Sequence, residues 1–263
     1  AMRNGADARN DFASPYLCGL APSTAQIQRA VIEEQGVEAR KIGSLNQADS
    51  LTEVARFMAS LVCNNAVIGV FQGPAETGPR ALGNRSILAN PCNPNTLELL
   101  NSKVKFREKI RPLAPMVTLE EAHRLFELDE GAKTDDYSAY NYMVLTARAR
   151  PEARSRVPAV VHVDGTSRLQ IVRQSLNPLI HAYLKQMGKH CGVEASVNTS
   201  LNVGSPIAQT PAHALQTLKR AKGMDALIMV GASGDIFAVW KTDSDFKRRL
   251  AVFEAQALDV MPT

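Results

Sequence analysis

The chain has 263 residues, 45% of them hydrophobic and 21% charged, with a net charge of +4 at neutral pH. That length buries a substantial core and suits one large domain or one domain with a small appendage. Mild basicity permits an anionic substrate, while 5% aromatic content and the lack of a Lys/Arg block interleaved with rings speak against a nucleic-acid platform.

No stretch is apolar for long enough to span a membrane, and no signal peptide is recognisable. The four cysteines, Cys18, Cys63, Cys92 and Cys191, are scattered and form no Cys-x-x-Cys pair. The expectation is therefore a cytoplasmic protein with ordinary reduced thiols and no structural zinc.

Residues 1–22 read as an extended, polar lead-in, and 23–263 as one domain. Ser23 or Thr24 can cap a helix over Ala25–Gln35, which Gly36 stops. A second helix, Gln47–Cys63, carries Leu51, Val54, Ala55, Met58 and Leu61 on one face. Ala66–Phe71 is short and β-branched and predicts a buried strand. Thr96–Val104 reads as helix, and prolines keep the basic segment after it from continuing as one. Glu120–Phe126 reads as a short helix, Asp129–Ser138 as a mobile polar loop, Tyr142–Thr146 as a strand and Arg148–Arg156 as an exposed connector. Ala159–Val163 reads as a strand with Ser167–Arg173 as its hairpin partner. Pro178–Gly188 predicts a helix, Val193–Val197 a strand, and Thr210-Pro211 a capped helix to about Lys222. Ala226–Val230 is a core strand, Ile236–Trp240 an edge strand and Lys247–Leu258 a terminal helix. Alternating strands and helices with hairpin interruptions give an α/β (α+β) class, a twisted mixed open sheet with covering helices.

The strand at Ala66–Phe71 leads into Gly73–Leu88, a loop with three glycines, two prolines, Arg80 and Arg85. Glycine lets backbone N–H groups approach a ligand, and arginine offers a planar fork to phosphate or carboxylate. Lys105, Arg107 and Arg111 follow on a segment held by Pro112 and Pro115. On an extended chain they share a face, and cations gathered there would repel one another without an anion between them. With Arg80 and Arg85 they suggest an oxyanion or phosphate site; alone they would equally suit a solvated basic edge.

His162 and Asp164 share a strand face, with Arg168 four residues on. They fit a proton carrier, a metal-binding carboxylate and another cation beside that site, or equally a hydrogen-bonded strand histidine and a turn-forming aspartate. Asn198-Thr-Ser200 can bond a planar carbamoyl group or its own backbone. No Walker loop, Gly-x-Gly-x-x-Gly fingerprint or Gly-x-Ser-x-Gly elbow is present.

Four stretches together carry a resemblance: Gly78-Pro-Arg-Ala-Leu-Gly-Asn-Arg-Ser-Ile-Leu88, Val104-Lys-Phe-Arg-Glu-Lys-Ile-Arg-Pro-Leu-Ala-Pro115, His162-Val-Asp-Gly-Thr-Ser-Arg-Leu-Gln170 and Asn198-Thr-Ser-Leu-Asn-Val203. In order and spacing they resemble the carboxy-terminal half of the O-carbamoyltransferases of nodulation and antibiotic tailoring, over about Ser14 to Val230. The resemblance implies a YrdC/Sua5-like fold that binds carbamoyl phosphate and ATP, with Mg2+ carried by the ATP rather than by protein ligands, and forms carbamoyl-adenylate. It implies Lys105 and Arg111 on the carbamoyl phosphate and Arg80 and Arg85 on substrate phosphates. His162, Arg168, Asn198 and Ser200 would line the carbamoyl and nucleotide pocket. Among these, Lys105, Arg111, His162 and Ser200 are the candidate catalytic residues. Arg107, Asp164, Thr166 and Asn202 complete the expected substrate and nucleotide contacts.

The amino-terminal Kae1-like half of that family, which holds an iron site and transfers the group to an acceptor hydroxyl, has no counterpart here. Three explanations fit that departure: a separate transferase partner, a new task for this domain, or a chain excised from a longer one. The first, with a small-molecule acceptor of secondary metabolism, is the expectation. Two alternatives stay open: ATP-independent acyl or carbamoyl transfer, and a silent binding or scaffold subunit. Gly204-Ser-Pro206 stands where the family has Arg-Gly-Glu-Pro, and Pro74-Ala75 where it commonly has arginine and a bulky residue.

Overall fold

A computed structural model describes residues 16–132 and 138–258. In chain order, β1 (Leu17–Cys18) precedes α1 (Thr24–Glu33), β2 (Val37–Ser44), α2 (Ala48–Cys63) and β3 (Ile68–Phe71). Next come β4 (Ala75–Glu76), β5 (Arg85–Ala89) and α3 (Thr96–Leu99), whose last turn widens into a π-turn over Leu100–Val104. The middle of the chain holds β6 (Ala114–Val117), α4 (Leu119–Leu125), β7 (Phe126–Glu127), β8 (Ala147–Ala149), α5 (Pro151–Arg156), β9 (Thr166–Ser167) and β10 (Gln170–Ile171). The remainder is α6 (Pro178–Cys191), β11 (Ala195–Ser200), α7 (Pro211–Arg220), β12 (Ala226–Val230), β13 (Asp235–Lys241) and α8 (Phe246–Leu258).

Eight strands form one mixed sheet in the order β10-β6-β11-β5-β3-β12-β13-β2. Only the β10–β6 and β12–β3 pairs in it are parallel. Successive residues of each strand point to opposite faces, and both faces are covered. Ile68, Val70, Leu88, Ile228 and Ala238 pack with α2, α6 and α8 on one side. Phe71, Ile87, Val197, Leu227, Met229 and Val239 pack with α1 and α7 on the other. Each such Leu, Ile or Phe contributes roughly 1.5–3 kcal/mol by leaving water. Among the described residues no helix is long and apolar enough to cross a membrane.

The expected twisted mixed sheet with covering helices is what the chain forms. Ser23 caps α1 in a reciprocal box with Gln26, and Thr210 caps α7 ahead of Pro211. Several expectations are corrected. Val37–Ser44 is a strand, and it takes the sheet's edge, so β13 lies inside the sheet. Arg85–Ala89 is a central strand despite its leading arginine. Tyr142 closes a 3-10 turn rather than opening a strand, and Arg148–Arg156 folds into β8 and α5. Ala159 and Val160 lie in another 3-10 turn, so His162 and Asp164 sit on a turn, not a strand. The segment from Lys105 to Arg111 is not extended, because Phe106 takes φ +49° and breaks the run. Cys63 and Cys191 form a disulfide with Cα atoms 5.9 Å apart, correcting the expectation of four reduced thiols. Of the lead-in, residues 1–15 lie outside the described residues, as do 133–137 of the expected polar loop.

Candidate functional site

Topology gathers the site before any side chain is considered. Strand β11 runs antiparallel to both neighbours, with Ser200 opposite Ser86 and Asn198 opposite Ala114. Its carboxy end therefore lies beside the loops that enter β5 and β6. Strand β10 runs parallel to β6, so the residues just before it arrive at the same end of the sheet. A cavity of about 260 Å³ opens there, lined by Arg80, Arg107, Arg111, Arg168, Asn198, Thr199 and Ser200, with Pro79, Ala81, Pro112 and Met143 as its apolar wall.

Four guanidinium groups thus share one hollow, and among the described residues its lining contains no carboxylate. Burial and the neighbouring Arg111 charge hold Arg107 below the usual arginine range, and burial with Arg80 does the same to Arg168. Arg107 donates from Nε to Asn101 Oδ1 at 2.7 Å, which fixes its fork. Arg80 donates to the carbonyl of Pro79. Arg111 meets Glu108 at 3.2 Å on the exposed rim. The Nε of Arg168 is buried and finds no hydrogen-bond partner among the described residues. The Oδ1 of Asn198 is equally unpartnered, while its Nδ2 donates to Ala81 O and Gln170 Oε1 at 2.9 and 2.8 Å. Buried polar groups normally find partners, and both of these atoms belong to residues that line the cavity.

Lys105 sits behind this lining. Its ammonium donates to Ser200 O, Ser200 Oγ, Asn202 O and Asn202 Oδ1 at 2.7, 3.3, 2.8 and 2.6 Å. Burial, then the Arg107 charge, pull Lys105 down to about 7. Asn202 also bonds the backbone of Ser205, closing the short turn that contains Gly204 at φ +58°.

Arg85 does not join the cations, which corrects its expected place on substrate phosphates. It is 1% exposed and spends its donors on the carbonyls of Gln72, Gly73, Asn84 and Ala208, with its guanidinium 3.8 Å from the Phe71 ring centre. Burial lowers it to about 10, with Glu76 opposing the shift. Glu76, unremarked in the sequence, accepts the backbone N–H groups of Leu82, Asn84 and Arg85 and so shapes the loop that presents Arg80.

His162, Asp164 and Thr166 also stand outside the cavity lining. The His162 ring lies 3.2 Å from Leu113 O and 3.4 Å from Thr166 Oγ1. Asp164 accepts from the Thr166 amide and hydroxyl, which is the turn-forming role. Gln170, whose Oε1 accepts from Asn198 Nδ2, closes the third resembling stretch and is not among the expected site residues. Met143 carried no signal in the sequence. Among the described residues no group of three or more His, Cys, Asp or Glu is placed to hold a metal ion.

Fold and cavity define an α/β domain with a cationic cleft at one end of its strands. The family model described as "Carbamoyltransferase C-terminus" matches residues 59–233, a span holding every lining residue, and the chain belongs to that family. The nodulation protein NolNO of Sinorhizobium fredii is 40% identical over 166 residues, 63% of this chain and 24% of that protein. The 3'-hydroxymethylcephem-O-carbamoyltransferase of Amycolatopsis lactamdurans is 38% identical over 145 residues, 55% of this chain and 26% of that protein. The match thus spans about a quarter of the curated relatives' length. Among solved structures, HypF of T. kodakarensis aligns with a TM-score of 0.45 at 15% identity, covering 76% of this chain and 25% of that one.

Proposed function

We propose that the cleft binds carbamoyl phosphate and ATP and forms carbamoyl-adenylate for transfer to a small-molecule hydroxyl. The observation that carries this reading is the convergence of Arg80, Arg107, Arg111 and Arg168 on one cavity beside the unpartnered Asn198 Oδ1. Cations grip the phosphate groups, and an amide oxygen suits the NH2 of a carbamoyl group. The relative named as a cephem O-carbamoyltransferase supports the choice of group and of acceptor class.

In the proposed sequence water cleaves carbamoyl phosphate to carbamate and inorganic phosphate. A carbamate oxygen then attacks the α-phosphorus of ATP, an O–P bond forms, and the bond to the β-phosphate breaks to release pyrophosphate. The protein's part is to hold two anionic reactants together and cancel their repulsion. Among the described residues the lining offers cations, amides and hydroxyls, and magnesium would arrive on the ATP phosphates and carry charge away with the leaving group.

The test measures pyrophosphate with ATP and carbamoyl phosphate, beside thermal shift with inorganic phosphate. Wild type should release pyrophosphate only when both substrates are present. Arg168→Met should weaken the phosphate-induced shift by at least about tenfold in affinity. Its melting temperature without ligand should be unchanged or higher, because a repelling charge is gone. A folded wild type that yields no pyrophosphate overturns the reading, and a small alcohol carbamoylated equally well from carbamoyl phosphate without ATP, with inorganic phosphate as the leaving group, replaces it with direct transfer.

A further inference from the structure

We propose that Cys63 and Cys191 form a reversible oxidative cross-link that sets the stability of the domain without defining its fold. Cys63 ends α2 and Cys191 ends α6, far apart in the chain and adjacent in space, with Cα atoms 5.9 Å apart. Such a separation is within the range a disulfide spans. Both side chains are half-buried, packed at the margin of the cluster formed by Val62, Leu184 and Met187. They are therefore within reach of a small oxidant.

The two helices do not depend on the bond for their packing. Val54, Met58, Leu61 and Val62 of α2 meet Ile180, Tyr183, Leu184 and Met187 of α6 in one apolar cluster. The reduced form should accordingly keep the same fold. Oxidation adds a constraint on the unfolded chain, closing a loop of 128 residues in sequence, and long loops lose the most freedom when closed.

The far end of α6 supports the site. Asn177, its cap, accepts from Gln72 and Ile180, and Gly83 lies so close to Asn177 that a Cβ there would stand 2.8 Å from the amide nitrogen. The cross-link thus secures one end of the helix whose other end buttresses the loop carrying Arg80.

A low-molecular-weight disulfide such as oxidised glutathione suffices as oxidant. One thiolate displaces a glutathione thiolate to give a mixed disulfide, and the second thiolate displaces the other. Two protein thiols become one disulfide, and one oxidised glutathione becomes two reduced molecules.

After incubation of the full chain with oxidised glutathione, peptides bearing Cys63 and Cys191 should appear joined. Cys18 and Cys92, which are free here, should remain open to alkylation or glutathione capture. Dithiothreitol should lower the melting temperature of the oxidised wild type by about 5–10 °C. Cys63→Ser and Cys191→Ser should each melt near the reduced wild type and show no response to reductant. The proposal is overturned if both cysteines retain separate glutathione adducts, if either pairs instead with Cys18 or Cys92, or if wild type melts at the same temperature in both conditions.

Discussion

Lys105 illustrates how a single cation can shape a cavity without lining it. An ammonium has three hydrogens, and here they meet four oxygens, all from Ser200 and Asn202. The bonds fix the end of β11, where Asn198, Thr199 and Ser200 line the cavity. Lys105→Met should leave buried carbonyls without a donor, costing roughly 1–3 kcal/mol, and should weaken phosphate binding through the displaced strand end. The pH dependence follows from the lowered pKa of about 7, against about 10.4 for an unfolded lysine. Between those values the unfolded chain holds a proton that the native state has released, so native stability rises with pH there. Denaturant unfolding at successive pH values from 7 to 9 should show wild type gaining on Lys105→Met. A constant difference would mean that Lys105 keeps its proton throughout. Arg85 makes the complementary point. The sequence offers it as a second phosphate ligand beside Arg80, but a guanidinium can satisfy carbonyls as well as phosphates, and here four carbonyls surround it. Nothing in the local pattern separates the two arginines, because the carbonyl of Ala208 arrives from 123 positions away.

At the scale of elements, the loop between β4 and β5 is organised by the buried carboxylate of Glu76, which receives three backbone N–H groups. Burial raises its pKa and those bonds oppose the rise. Glu76→Ala should strand three donors, lower the melting temperature by several degrees, and abolish the phosphate-induced shift, since Arg80 and Ala81 ride on this loop. A variant that keeps wild-type phosphate affinity would show that the loop needs no such hub. The elements were unequally legible. β3 and β12 are dense runs of apolar residues between turn signals, and buried strands of this kind announce themselves. The capped helices α1 and α7 were equally plain. Strand β2, Val-Glu-Ala-Arg-Lys-Ile-Gly-Ser, has little apolar content because it lies at the edge, and pairing with β13 rather than burial holds it. Strand β6 contains Pro115, and the apolar turn around Val160 looks like a strand until its partners are known. Of the site, the cationic residues were readable because short stretches carry them together. The placement of His162 and Asp164 was not, since it rests on a turn whose geometry the apolar run before it conceals.

Over the whole molecule, sheet order gives a reason for a cleft at one end of the strands. The loops entering β5, β6 and β10 and the end of β11 meet there because of strand direction, so residues from position 79 to position 200 share a cavity of about 260 Å³. The proposed chemistry has two parts. Activating a carbamoyl group needs an anion-gripping cleft, whereas delivering it needs a second site that positions an alcohol. The chain alone should therefore accumulate activated carbamoyl groups without passing them on. Hydroxylamine provides the means to see this, because its nitrogen attacks the carbamoyl carbon, AMP leaves, and hydroxyurea forms. With ATP, carbamoyl phosphate and hydroxylamine, the expected products are hydroxyurea and AMP in step with pyrophosphate, and an added small alcohol should remain unmodified until a separately produced transferase half is supplied. Carbamoylation of the alcohol by this chain alone would show that one cleft performs both steps. Pyrophosphate released without hydroxyurea would mean that the cleft hydrolyses ATP and activates no carbamoyl group.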